Sequence, residues 1–266
     1  MIVFPNAKIN IGLQVLKKRS DQYHELETVF YPVNIYDVLE VIEAKETAFY
    51  PTGIVIDGKM EDNICVKAYY LLAKDYKLPS VEIHLHKTIP IGAGLGGGSS
   101  DAAFMIKALN DKFELKLSIE KMENYAATLG ADCAFFIQNK PLFAEGIGTD
   151  LSEISLDLSS YYFVVVKPKI HISTSEAYKS IIPDSMGKDL NKAILEPIEN
   201  WKNSVINDFE AAIVNSYPEI GEIKQQLYDV GAIYASMSGS GSALYGIFRK
   251  KPFFPENRER YQIFYG

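Results

Sequence analysis

The residues with the clearest chemical potential form one run, Pro90-Ile91-Gly92-Ala93-Gly94-Leu95-Gly96-Gly97-Gly98-Ser99-Ser100. Glycine tolerates φ > 0 and lets a ligand reach the backbone without a Cβ in the way. A glycine run that enters a helix points successive N–H groups at one place. Those donors, with the helix N-terminus, hold phosphate oxygens. The hydroxyls of Ser99 and Ser100 can add to the phosphates or to a metal. A glycine cluster is also the composition of a plain flexible turn, so its flanks decide. Before it, residues 81–86 alternate strictly between apolar and polar, the pattern of a half-buried strand. After it, Ala102, Met105, Ile106, Leu109 and Phe113 form one helical stripe over residues 101–113. Strand, glycine run and helix together point to phosphate binding.

Two common phosphate loops fit poorly. The pattern GxxxxGKS/T fails because no lysine follows the glycines. Gly92, Gly94 and Gly97 match GxGxxG formally. A dinucleotide fold also needs a second buried strand ending in an acid, and two helical segments follow instead. His84 and His86 share one strand face, but two ligands without a third make a poor metal site, and none is expected. Cys133 reads as a small core residue rather than a nucleophile. Four scattered histidines give no Ser/His/Asp arrangement.

The elements that must position this loop are mostly strands at first. Residues 8–15 alternate, with Ile9, Ile11, Leu13 and Val15 on one side and Lys8, Asn10 and Gln14 on the other. Residues 17–22 are a polar turn, and strands are expected over 23–33 and 38–44. Helical spacing covers 63–76, and Ser118 opens a helix that Gly130 ends after Leu129. Residues 161–166 form a buried strand. Helices follow at 173–182, 189–196 and 203–229, the last broken near Pro218. Strands at 233–237 and 242–248 flank a Ser238–Gly241 turn. The order lacks regular βα alternation, which indicates α+β. A composition shift over 151–160 divides the chain into domains 1–155 and 156–266.

Length and composition bound the class. A chain of 266 residues with 47% hydrophobic and 23% charged residues is an ordinary globular protein, not a disordered tail, a collagen or a coiled coil. Lys plus Arg number 27 against 34 Asp plus Glu, a net charge of −7, which argues against a general nucleic-acid binder. No stretch reaches the ~18 apolar residues of a membrane span. The N-terminus does not look like a signal peptide, and two cysteines far apart suit a reducing compartment. A cytoplasmic protein with small-molecule partners, no nucleic acid and no membrane is expected.

Three ordered stretches carry a resemblance. The loop with Asp101-Ala102-Ala103, the early Ala7-Lys8-Ile9-Asn10-Ile11-x-Leu13 and the late Ser238-Gly239-Ser240-Gly241-Ser242-Ala243 together resemble the GHMP kinases, which include galactokinase, homoserine kinase and mevalonate kinase. The resemblance implies two α+β domains, the first like the second domain of ribosomal protein S5 and the second ferredoxin-like. It implies phosphoryl transfer from ATP, with Mg²⁺, to a small alcohol. Further stretches, Lys18-Arg19-x-Asp21-x-Tyr23-His24, Gly130-Ala131-Asp132 and residues 144–148, resemble the branch whose acceptor is a cytidine diphosphate polyol. That branch usually has glycine where Gln22 stands and often proline where Ala134 stands.

The resemblance also implies roles. Asp132 takes the acceptor proton, and Lys8 keeps Asp132 ionised and offsets negative charge. Tyr23 and Tyr178 sandwich cytosine, His24 hydrogen-bonds it, and Asn10 and Thr174 fix the polyol and phosphates. Lys87 contacts the nucleotide, and Gly239, Ser240 and Gly241 form the third motif. From residue types alone, Asp132 could cap the next helix, Lys8 could be a solvated charge and Asn10 a surface group. The resemblance leaves open another acceptor, of homoserine or mevalonate type, or a nucleotide-binding module without catalysis.

Overall fold

The computed structural model describes residues 1–266 apart from 180, 182, 184–188, 256 and 258. In chain order the strands are β1 (Ile2–Val3), β2 (Asn6–Lys18), β3 (His24–Tyr36), β4 (Val38–Glu43), β5 (Ala48–Gly53), β6 (Val81–Lys87), β7 (Leu142–Glu145), β8 (Asp150–Glu153), β9 (Tyr162–Pro168), β10 (Tyr234–Met237), β11 (Leu244–Phe248) and β12 (Tyr261–Tyr265). The helices are α1 (Ile64–Tyr76), α2 (Gly97–Lys112), α3 (Ile119–Leu129), α4 (Phe135–Gln138), α5 (Thr174–Lys179), α6 (Leu190–Ala193), α7 (Trp201–Ser204), α8 (Asp208–Ser216) and α9 (Pro218–Asp229).

Packing groups the chain into two interleaved units. The first comprises Met1–Ala7, Ile35–Ile91 and Gly96–Lys140. Its sheet has the order β1-β4-β6-β5, with β5 parallel to β6 and the other pairs antiparallel. Alternation along β6 buries Val81, Ile83 and Leu85, and by the same parity Lys87. α1 and α2 pack together through buried faces that include Val66, Leu72, Met105 and Leu109.

The second unit comprises Lys8–Asn34, Gly92–Leu95 and Pro141–Gly266. One sheet has the order β2-β3-β7-β8, the other β10-β11-β9-β12. The second sheet is antiparallel throughout. α9 lies against β10 and β11, and its Ile220, Ile223 and Leu227 join Val164, Val166, Met237 and Leu244 in one core.

Several elements depart from the sequence expectations. α2 begins four residues early, inside the glycine run, with Gly96 at φ 68 as its N-cap. The expected helix at 203–229 is α8 and α9, with Pro218 opening α9 where its missing N–H costs nothing. The helix at 189–196 is only α6, capped by Asp189. The expected end of the 173–182 helix lies outside the described residues. β2 is buried on both faces from Asn6 to Val15, so Lys8 and Asn10 are interior rather than solvated. Gly130 has φ 173, an extended conformation open to any residue. It is glycine because a Cβ there would meet Cys133 Sγ at 3.2 Å.

The β2–β3 turn explains the first of the two departures noted above, at Gln22. The N–H of Arg19 donates to the Tyr23 carbonyl at 2.8 Å, and the N–H of Tyr23 donates to Asp21 Oδ1 at 3.1 Å. Closing this turn sets Gln22 at φ 72, where an L side chain is strained. Replacing Gln22 by glycine should relieve that strain. Net of glycine's extra chain entropy, the thermal midpoint in calorimetry should rise by ~1–3 °C.

Candidate active site

In the first unit the site is built on the first turn of α2. Starting the helix at Gly97 leaves the N–H groups of Gly97, Gly98 and Ser99 as first-turn donors, while that of Ser100 bonds the Gly96 carbonyl at 2.9 Å. A Cβ at Gly98 would meet nothing within 4 Å. Ser100 is fully buried, and its Oγ has no hydrogen-bond partner among the described residues. Asp132 follows α3 in a half-buried turn. It does not cap α4, whose N-cap position is Ala134. Cys133 beside it is fully buried, and that burial pushes its thiol up to about 11, so it is no ready nucleophile.

Behind that turn lies a charge cluster that residue types alone did not disclose. Lys87 Nζ, 3% exposed, donates to Asp37 Oδ2 and to Asp101 Oδ2, the latter at 2.8 Å. Asp37 Oδ1 accepts from the N–H groups of Thr88 and Ile89, the latter at 2.9 Å. A Cβ on Gly97 would stand 3.1 Å from Lys87 Nζ and 2.8 Å from Ile89 Cγ2. The cluster thus ties the exit of β6 to the start of α2. Lys87 is engaged here, buried beneath the donors. The signal in the sequence was its parity with Val81, Ile83 and Leu85, which called for a buried counter-ion.

In the second unit, Gly92–Leu95 is held by the third motif. Ser238 Oγ donates to the Gly94 carbonyl at 2.8 Å, and the N–H of Ala243 donates to the Ala93 carbonyl at 3.2 Å. Gly94 has φ 81, and a Cβ there would lie 1.9 Å from the Ser238 carbonyl. Gly241 approaches Ala93 and Gly94 as closely. The N–H of Lys8 donates to the Leu95 carbonyl at 2.9 Å. Its Nζ donates to Asn10 Oδ1 and sits 4.7 Å from the centre of the Phe30 ring. Asn207 donates from Nδ2 to the carbonyls of Met237 (3.1 Å) and Gly239 (2.9 Å), pinning the motif from behind.

The remaining expected residues group as follows. His24 stacks on Tyr178 with ring centroids 4.6 Å apart, and Tyr178 meets Phe209 edge-on. Tyr23 is 61% exposed. Thr174 Oγ1 lies 3.3 Å from Ser240 Oγ, which joins α5 to the third motif. Ile91 is exposed while Pro90 is buried. His84 stacks on Tyr50, and His86 hydrogen-bonds Thr52. No group of three or more His, Cys, Asp or Glu that could hold a metal occurs among the described residues.

Comparison with known proteins matches the GHMP kinases N terminal domain over residues 63–140 and GHMP kinases C terminal over 189–255. The 4-diphosphocytidyl-2-C-methyl-D-erythritol kinase of Azobacteroides pseudotrichonymphae genomovar. CFP2 is 55% identical over 256 residues, 96% of each chain. This chain belongs to the GHMP kinases. The enzyme of the same name from Bacteroides thetaiotaomicron is 53% identical over 96% of this GHMP kinase and 95% of its own length. A crystal structure of 4-(cytidine 5'-diphospho)-2C-methyl-D-erythritol kinase has a TM-score of 0.78 at 32% identity, covering 93% of this chain and 90% of the other. Methanococcus jannaschii mevalonate kinase, at 13% identity, TM-score 0.72 and coverage of 100% and 97%, shares the fold.

The Lys87 cluster titrates in a definable window. Burial pushes the Asp101 carboxyl up to about 8; Lys87 opposes this and Asp37 adds to it. Burial pulls Lys87 down, but its two carboxylates outweigh it and hold the ammonium above its ordinary value. An acid raised on folding takes up a proton, so folded stability falls as pH rises from 3.8 to about 8. Asp101→Asn removes that dependence and leaves one cation facing one carboxylate. The urea midpoint of this variant relative to wild type should rise across that window and level off above it.

Proposed function

We propose that this GHMP kinase transfers the γ-phosphoryl group of ATP to the 2-hydroxyl of 4-diphosphocytidyl-2-C-methyl-D-erythritol, giving the 2-phosphate and ADP in the non-mevalonate route to isoprenoid precursors. Identity of 55% over 96% of the chain with a kinase named for that acceptor carries this reading. Phosphoryl transfer asks the protein for alignment and for positive charge on the migrating group. The first-turn N–H groups of α2 and the bend at 90–100 supply the phosphate cradle. Asp132 accepts the proton of the attacking hydroxyl. Lys8 offsets charge on the transferring group, and its interior position strengthens that effect.

Mg²⁺ fits the donor set on the page. The ion commonly keeps water and phosphate oxygens and takes one or two protein ligands. The buried, unpartnered Ser100 Oγ is such a ligand, with Ser99 as its neighbour. When bound, the ion neutralises phosphate charge. The acceptor's cytosine needs a flat partner and polar edge contacts, which we assign to Tyr178, His24 and Tyr23. In this structure His24 covers Tyr178, so a base would lie over the His24–Tyr178 stack or take the imidazole's place. Asn10 and Thr174 serve the polyol and phosphates, and Ser240, between Gly239 and Gly241, supports Thr174.

Two buried free thiols suit the reducing cytoplasm, where we place the protein with small-molecule partners alone. Among the described residues no helix is long and apolar enough to cross a membrane.

Incubation with ATP, Mg²⁺ and the cytidine acceptor should release ADP, whereas homoserine and mevalonate should not support turnover. A folded protein that turns over none of these compounds rejects the reading. Asp132→Ala and Lys8→Ala should each lower kcat by ~10²–10⁴-fold with little change in ATP affinity by calorimetry. Wild-type rates in both variants would overturn the assigned roles.

A further inference from the structure

Lys8 owes its direction to a short chain of buried side chains within one unit. Its ammonium only donates, and Asn10 Oδ1 is an acceptor facing it. A carboxamide has an oxygen and an NH₂ of nearly equal size, so something must decide which one faces Lys8. Thr28, on β3 and 1% exposed, makes that decision. Its Oγ1 donates its single proton to the Gly12 carbonyl at 2.6 Å. Toward Asn10, 3.0 Å away, the same oxygen can therefore only accept. Asn10 must turn Nδ2 toward Thr28, and Oδ1 is left to face the amine. The reverse orientation would set an NH₂ against an ammonium in a buried site, where unmatched polar groups are costly.

The Asn10 backbone has no freedom to compensate. Its N–H donates to Ser238 Oγ at 3.2 Å, and its carbonyl accepts from Tyr245 Oη at 3.0 Å. Gly239 leaves the space for Oδ1, since a Cβ there would stand 3.1 Å from it. We propose that Thr28 is a positioning residue that orients the Asn10 carboxamide and, through it, aims the Lys8 ammonium. The proposal rests on the role given to Lys8 above.

Thr28→Val keeps the shape and removes the hydroxyl; Thr28→Ser keeps the hydroxyl. Thr28→Val should lower kcat by ~10–100-fold with KM for ATP and the cytidine acceptor within ~3-fold, and Thr28→Ser should stay within ~3-fold of wild type. A second readout does not depend on turnover. Acylation of lysines, followed by peptide mass spectrometry, should show Lys8 at least ~3-fold more reactive in Thr28→Val, with the equally buried Lys87 of the other unit unchanged as the control for global opening. Unchanged kcat, unchanged Lys8 labelling, a parallel rise at Lys87, or failure of serine to rescue would each overturn the proposal. If wild type releases no ADP, the kinase reading fails by itself, and labelling still decides the positioning role.

Discussion

The left-handed turn at Gly96 is the constraint on which the proposed phosphate cradle depends. It starts α2 inside the glycine run, so that three backbone donors stand in succession in its first turn. A side chain at position 96 would meet a strained φ, and a later helix start would leave the same N–H groups pointing in unrelated directions. The glycines are therefore not equivalent. Gly94 and Gly241 serve close backbone approach, Gly97 clears Lys87 and Ile89, and a Cβ on Gly98 would meet nothing within 4 Å.

Among the described residues, each packing unit holds a lysine buried with polar partners. In the first, Lys87 between Asp37 and Asp101 joins the strand before the loop to the helix after it. In the second, Thr28, Asn10 and Lys8 share buried hydrogen bonds with the backbone of β2 and with Ser238. Such clusters add little net stability, because desolvation offsets much of the attraction. Removing one member, however, strands the others without water. That asymmetry makes them suited to fixing geometry: the native arrangement sets each ammonium against buried acceptors, and displaced ones do not.

Much of the chemistry was legible along the chain. Strand, glycine run and helix are local patterns, and the run marks a candidate phosphate loop from the sequence alone. Ser118 read as a cap and Pro218 as a break for equally local reasons. Residues such as Thr28 and Asp37 were not legible, because a threonine or aspartate near a strand has no periodicity that reveals its partner. Lys87 was half legible: its parity placed it inside, but its counter-ions lie 50 and 14 residues away. β12 and the interior position of β2 were hidden for a similar reason, since pairing and the covering of a second face come from distant segments.

The amino-acid order by itself determined which backbone can bend, where helices start and stop, and which side chains carry charge, because sterics and periodicity act between neighbours. Only the tertiary structure decided that α2 begins at Gly97, that Ser238 holds Gly94, and that the Lys8 amine meets an amide oxygen rather than an amide nitrogen. Those outcomes depend on groups far apart in sequence competing for the same few donors and acceptors once water has been excluded.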